Sequence, residues 1–451
     1  MNRTTSRLFR LPPRLSALAL VGTLAIVTLG WWIATAPITV ASAQPPTESA
    51  EALRDDPIVD HALDAIERGR SVFRYDPFGS NLFFTNALRL NEVVAQVAPV
   101  DALALGLKVD VRNLPKSVTR ALQRGEVDLE DPAVTRLLLS RNAVVGLTAT
   151  VSGSEVRDLG ITCALCHSTV DDSLAPGLGN RLDGWANRDL DVGGILALAP
   201  NLQPFADLLG VDVATVREVF ESWGPGKFDA HLNLDGKAFR PDGLSAAVLI
   251  PPAFGLAGVN LHTYEGWGSV TYWNAFVANL EMGGSGTFWD QRLADAAHFP
   301  VAAAAGFDDV RDTPDLITSK LADLHFYQLA IPAPAAPTGS FDAAAAARGR
   351  ELFGGKANCA RCHVPPLYTE PGHNVHAPEE IGIDSFQADR GPIGQYRTTP
   401  LRGLWTHTSG GFYHDGRFAT LEAVVAHYDA HFGLGLSVGE QADLVEFLQS
   451  L

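Results

Sequence analysis

The chain has 451 residues, 46% of them hydrophobic and 19% charged, with a formal net charge of −17 at neutral pH. That length suits two or three domains of ordinary soluble composition. The acidic balance excludes nucleic acid and anionic membrane surfaces as partners.

Residues 1–43 read as a targeting segment. Arg3, Arg7, Arg10 and Arg14 form a basic flank, an apolar run follows from Leu15 to about Ala36, and Ala41-Ser42-Ala43 has the small-x-small form of a cleavage site. A cleaved signal peptide is the first reading. The run is also close to membrane-spanning length, so an uncleaved anchor is the alternative. Either places the remainder in the periplasm or another exported compartment, with membrane contact only through that segment.

All four cysteines then fall in two Cys-x-x-Cys-His motifs, Cys163-Ala164-Leu165-Cys166-His167 and Cys359-Ala360-Arg361-Cys362-His363. Zinc spacing or a redox dithiol would not need a histidine after both pairs. Two thiols that add across haem vinyl groups, with the adjacent histidine reaching the iron, explain both motifs. Two covalently bound haem c groups are therefore expected, with His167 and His363 as proximal ligands.

A repeat frames the motifs. Arg68-Gly69-Arg70-Ser71-Val72-Phe73 echoes Arg348-Gly349-Arg350-Glu351-Leu352-Phe353, and Ala322-Asp323-Leu324 echoes Ala442-Asp443-Leu444. Each half reads as opening helix, haem motif, closing helix. From Arg68 to Ala322 is 254 positions, against 94 from Arg348 to Ala442, so the first half is greatly enlarged. Thr313-Pro314 is read as the start of the first closing helix, and Ser437 with Glu440 as a capping box for the second. The expected fold is mainly α: an enlarged haem domain over 44–330, a stiff proline-rich linker over 331–339 and a compact haem domain over 340–451. No long alternating strand pattern is evident.

Methionine, the usual sixth ligand in electron-transfer cytochromes c, occurs only as Met1 and Met282, neither of them downstream of the second motif. Histidine, tyrosine or an open position remains for the second haem. There the sequence offers Thr399-Pro400-Leu401-Arg402-Gly403-Leu404-Trp405, then Gly411-Phe412-Tyr413-His414-Asp415-Gly416-Arg417, then a predicted helix carrying His427 and Tyr428.

With both haem motifs, this stretch resembles the bacterial dihaem cytochrome c peroxidase superfamily, and within it the dihaem rubber-oxygenase-like group. Gly69-Arg70-Ser71-Val72-Phe73-Arg74-Tyr75-Asp76-Pro77-Phe78-Gly79 adds to that likeness. The chain is shorter than the polymer-cleaving members. The resemblance implies that the predicted helix donates the second haem's sixth ligand, His427 in the favoured alignment and Tyr428 in the alternative. It also implies calcium between domains, although no dense acidic loop identifies a site, and a tryptophan between the haems. Trp185, Trp223, Trp267 and Trp273 are candidates, with a weak preference for Trp223. Arg402 is the expected partner of a haem propionate, and His414 a supporting residue.

For the first haem, His231, His262 and His298 are weak candidates, and an open distal position is expected. The aromatic-rich segment 261–273 could line it, with Glu265 as the available general acid or base. The expected function is a redox enzyme. The first haem would react with peroxide or dioxygen, the second would relay or store electrons, and a donor protein would supply them. A dihaem electron-transfer cytochrome is the alternative, and a haem-based sensor the third reading.

Overall fold

The computed structural model describes residues 56–451, so the targeting segment read over 1–43 lies outside the described residues. Ile58–Leu451 is one compact unit. It is mainly helical, and its strands pair only two at a time. Among the described residues no helix is long and apolar enough to cross a membrane.

The helices used below are α1 (Pro57–Tyr75), α2 (Pro132–Ser140), α3 (Leu232–Asp235), α4 (Val270–Phe276), α5 (Leu321–Ala330), α6 (Ala343–Gly354), α7 (Leu421–Phe432) and α8 (Val438–Gln449). On α1, Ala65, Gly69 and Phe73 recur every four residues and make one buried stripe. That stripe packs on α5. A Cβ on Gly69 would fall 1.9 Å from the Asp323 carbonyl oxygen, so only glycine permits the approach. Arg68 grips Asp323 with two hydrogen bonds, at 2.7 and 3.0 Å.

The α6–α8 pair repeats this construction. A Cβ on Gly349 would fall 2.0 Å from the Asp443 carbonyl oxygen. Arg348 holds Asp443 at 2.8 and 2.5 Å. Phe353 packs on Phe447 where Phe73 packs on Tyr327. Thus the echoed Arg-Gly and Asp residues are the contact points of two equivalent helix pairs.

Three local readings need correction or addition. The first closing helix begins at Leu321, not near Pro314. Asp315 accepts the amides of Ile317 and Thr318 and so starts a 3₁₀ turn at Thr318 instead. Ser437 and Glu440 do form the reciprocal capping box of α8. A hairpin absent from the sequence reading, β1 (Leu147–Ser152) with β2 (Glu155–Ile161), turns at Gly153 and delivers the chain to Cys163. The 331–339 segment is packed along the protein: the Ile331 carbonyl accepts from Gly255 and that of Pro334 from Trp405.

Candidate functional site

Both Cys-x-x-Cys-His motifs sit in short helical turns, Ala164–His167 after β2 and Cys359–Arg361 after α6. The four cysteines are unpaired thiols. Burial pushes Cys163 and Cys166 up to about 12 and Cys359 up to about 11, so they are protonated. Burial also lowers the pKa of His167 and His363, which keeps both imidazoles neutral. Nδ1 of His167 bonds the Pro251 carbonyl at 3.1 Å, and Nδ1 of His363 bonds that of Tyr368 at 3.2 Å. A ring held through Nδ1 presents Nε2 to a metal, the arrangement usual for iron-binding histidines.

A cavity of about 560 Å³ opens beside the second motif. It is lined by Cys359, Cys362 and His363, by 396–404, and by Leu421, Val424, Val425 and Tyr428 of α7. Its volume falls within the roughly 300–1,000 Å³ typical of cofactor sites. The first half completes the wall with Trp185, Arg188, Pro251, Phe254 and Tyr264.

The structure separates His427, favoured from sequence, from the alternative Tyr428 by side-chain direction. Tyr428 lines the cavity. His427 is turned away, with Nε2 on the Ile381 carbonyl at 2.9 Å and its ring stacked on His431.

Arg402 lies at the cavity rim but is exposed. Arg188 and Arg397 are half-buried; Arg188 bonds His407 and Arg397 the Thr263 carbonyl, and each keeps a buried Nη1 that has no protein partner. Burial lowers the pKa of Arg188, and it pushes Arg397 down to about 10. Two guanidinium groups, each with one buried nitrogen still unpartnered, on a haem-sized cavity suit two propionates. Sequence reasoning missed both. Arg397 lies two residues before the quoted Thr399-Pro400-Leu401-Arg402 run, and neither it nor Arg188 carried a local signal.

His414 is buried, stacks on Tyr396 at 5.2 Å and has its pKa pushed down to about 4 by burial. Cys362, Glu370 and His376 have metal-holding spacing. His376, however, is held between Glu370 at 2.6 Å and Glu380 at 3.0 Å.

Of the tryptophans, Trp185 both lines this cavity and packs on the apolar cluster containing Cys163 and Ala164. Its ring meets Trp405 edge-on at 5.4 Å. Trp223, weakly preferred from sequence, packs with Phe220 and Phe228 in a different cluster.

Glu265 does not line the cavity, which its neighbour Tyr264 does. Its buried carboxylate accepts from Gln387, beside His231. The same knot contains Arg390, fully buried and paired with Asp229 and Asp235 of the α3 region. Burial raises the pKa of Glu265. His262 bonds the Val259 carbonyl and His298 packs on Phe299.

The first half nevertheless contains a counterpart of the second-haem wall. Pro251-Pro252 to Gly255 matches Thr399-Pro400 to Gly403, with both glycines at positive φ. The His262–Gly268 bridge matches Phe412–Phe418, and both enclose a left-handed residue, Thr263 or Tyr413. Ser269 caps α4 as Thr420 caps α7. Counted from those caps, Val277 occupies the position of Tyr428. It continues α4 as the first residue of a π-turn and packs on the cluster with Cys163 and Met282.

No known protein-family profile matches the chain. It is 31% identical over 153 residues to the cytochrome-c peroxidase IdrP1 of Denitromonas iodatirespirans, covering 24% of this chain and 40% of that protein. It is 34% identical over 122 residues to the methylamine utilization protein MauG of Methylorubrum extorquens, covering 24% and 34%. Over these stretches the chain is similar to dihaem cytochrome c peroxidase-like proteins. It spans 34–40% of the length of these two relatives. Two solved structures align with about half of it. One is a MauG-like protein associated with microbial copper homeostasis, at 18% identity and TM-score 0.31, covering 49% of this chain and 80% of that one. The other is hydrazine synthase of Kuenenia stuttgartiensis, at 19% and 0.29, covering 48% and 76%.

Proposed function

We propose that this protein is an exported dihaem c-type redox enzyme, with one haem-binding unit over about 44–330 and a second over 340–451. The haem on His167 meets peroxide or dioxygen, and the haem on His363 stores or relays electrons delivered by a donor protein. Haem supplies reversible one-electron chemistry and, where a coordination position is open, a place for the oxidant. The observation that carries this reading is the Val277–Tyr428 equivalence. An aliphatic side chain cannot ligate iron, whereas the phenol in the same position can.

The residues divide the work accordingly. Pro251 and Tyr368 orient the two histidines through their carbonyls. Tyr428 and His363 both line the second cavity, where both would hold the iron, and Arg188 with Arg397 would neutralise the propionates. Trp185 stands between the two motifs as the path for electrons. Glu265, held by Gln387, supports the fold rather than serving as the acid or base.

Electron paramagnetic resonance of the oxidised holoprotein tests the reading. A high-spin component that disappears on adding peroxide or cyanide is expected from the first haem. Two low-spin signals indifferent to both would make the protein an electron carrier. Tyr428→Phe should alter the low-spin signal of the second haem, and His427→Ala should leave it in place.

A further inference from the structure

A second cavity, of about 50 Å³, lies within the first half among residues between Leu90 and Leu198. Its wall is aliphatic, with Leu103, Leu139, Val144, Leu147 and Leu178 among its residues, and Thr135 is the sole polar residue lining it. The volume exceeds the roughly 10–15 Å³ that one water needs, but an ordered water also needs two to four polar partners. The Thr135 hydroxyl, itself buried without a partner, offers one. Such a space stays dry and accepts small neutral apolar molecules.

Its position ties it to the first haem motif. Val144 and Leu147 flank Gly146, which lies so close to the motif that a Cβ there would fall 2.1 Å from the Cα of Leu165. Leu165 and Cys166 pack in the same apolar cluster as Val144, Leu147 and Leu139. The compact half has no counterpart, because α6 ends at Gly354 and the second motif begins at Cys359.

We propose that this cavity is a docking site for dioxygen, one layer of side chains away from the haem motif of Cys163–His167. Dioxygen is small, neutral and apolar, and it matches the wall. Peroxide would surrender its hydrogen bonds to water on entering, with only the Thr135 hydroxyl to replace them. The inference rests on the reading that the first haem reacts with an oxidant, and it favours dioxygen as that oxidant.

Xenon is the probe. Crystals of the holoprotein under xenon pressure should show an atom among Leu139, Val144, Leu147 and Leu178. Leu139→Phe should displace it and slow carbon monoxide association with the reduced first haem severalfold after flash photolysis, leaving the reaction with peroxide unchanged. Xenon at raised pressure should slow the same association in the unmodified protein, which gives the readout even if the variant fails to fold. An empty cavity under xenon, or association indifferent to both xenon and Leu139→Phe, overturns the proposal. Absence of carbon monoxide binding in the unmodified protein would instead overturn the proposed function, while xenon occupancy still decides whether the cavity takes gas.

Discussion

Arg188 and Arg397 present their charge to the second cavity from half-buried positions where solvent screens it only in part, so each should act on whatever occupies that space. Replacing Arg397 with Leu is expected to lower the reduction potential of the second haem, because a removed cation favours the oxidised iron. The same change at exposed Arg402 should shift it far less, and redox titration of the two variants compares them. His376 gives a stability prediction with a definite sign. Burial opposes its charge, but the hydrogen bonds to Glu370 and Glu380 outweigh that and hold its pKa above the usual value. Its stabilisation is therefore complete below about pH 6.5 and is lost as pH rises through the higher folded value. His376→Gln should flatten that decline in urea-unfolding midpoints measured from pH 6 to 9. At this scale the sequence was informative about chemistry and poor about direction. The Cys-x-x-Cys-His pairs could be read outright, whereas His427 and Tyr428 differ only by a rotation that depends on what packs beneath the helix.

The helix pairs α1–α5 and α6–α8 owe their closeness to Gly69 and Gly349. Gly349→Ala would drive a methyl group into the Asp443 carbonyl, and overpacking of this kind costs about 1–3 kcal/mol. A lowered urea midpoint with the haem spectrum retained is the expected result. Elements of this kind were legible because the same residues recur twice along the chain. The β1–β2 hairpin was not. Its alternation is interrupted by a register shift between Thr150 and Val151, and its turn carries no Asn-Gly signal. The start of α5 was misplaced because Thr313-Pro314 has the composition of a helix start, while Asp315 takes the first free amides.

Across the whole molecule the halves are joined by buried charge. Arg390→Met would leave Asp229 and Asp235 buried without their cation, a loss of about 3–5 kcal/mol. Equilibrium unfolding should register it as a destabilisation, with both proximal histidines left untouched. No local pattern announces such a partnership, since its members are separated by more than a hundred residues. Trp185, one of four candidates in the sequence, could not be singled out for the same reason: its position comes from where two distant segments meet. The shared wall of the larger cavity has a consequence for how the protein can be taken apart. Residues 340–451 supply His363 and Tyr428, yet Arg188, Pro251, Phe254 and Tyr264 close the space over them. Cut within 331–339, the C-terminal piece would be a bowl without its lid. The compact half is not a cassette that could be lifted out or exchanged for another cytochrome.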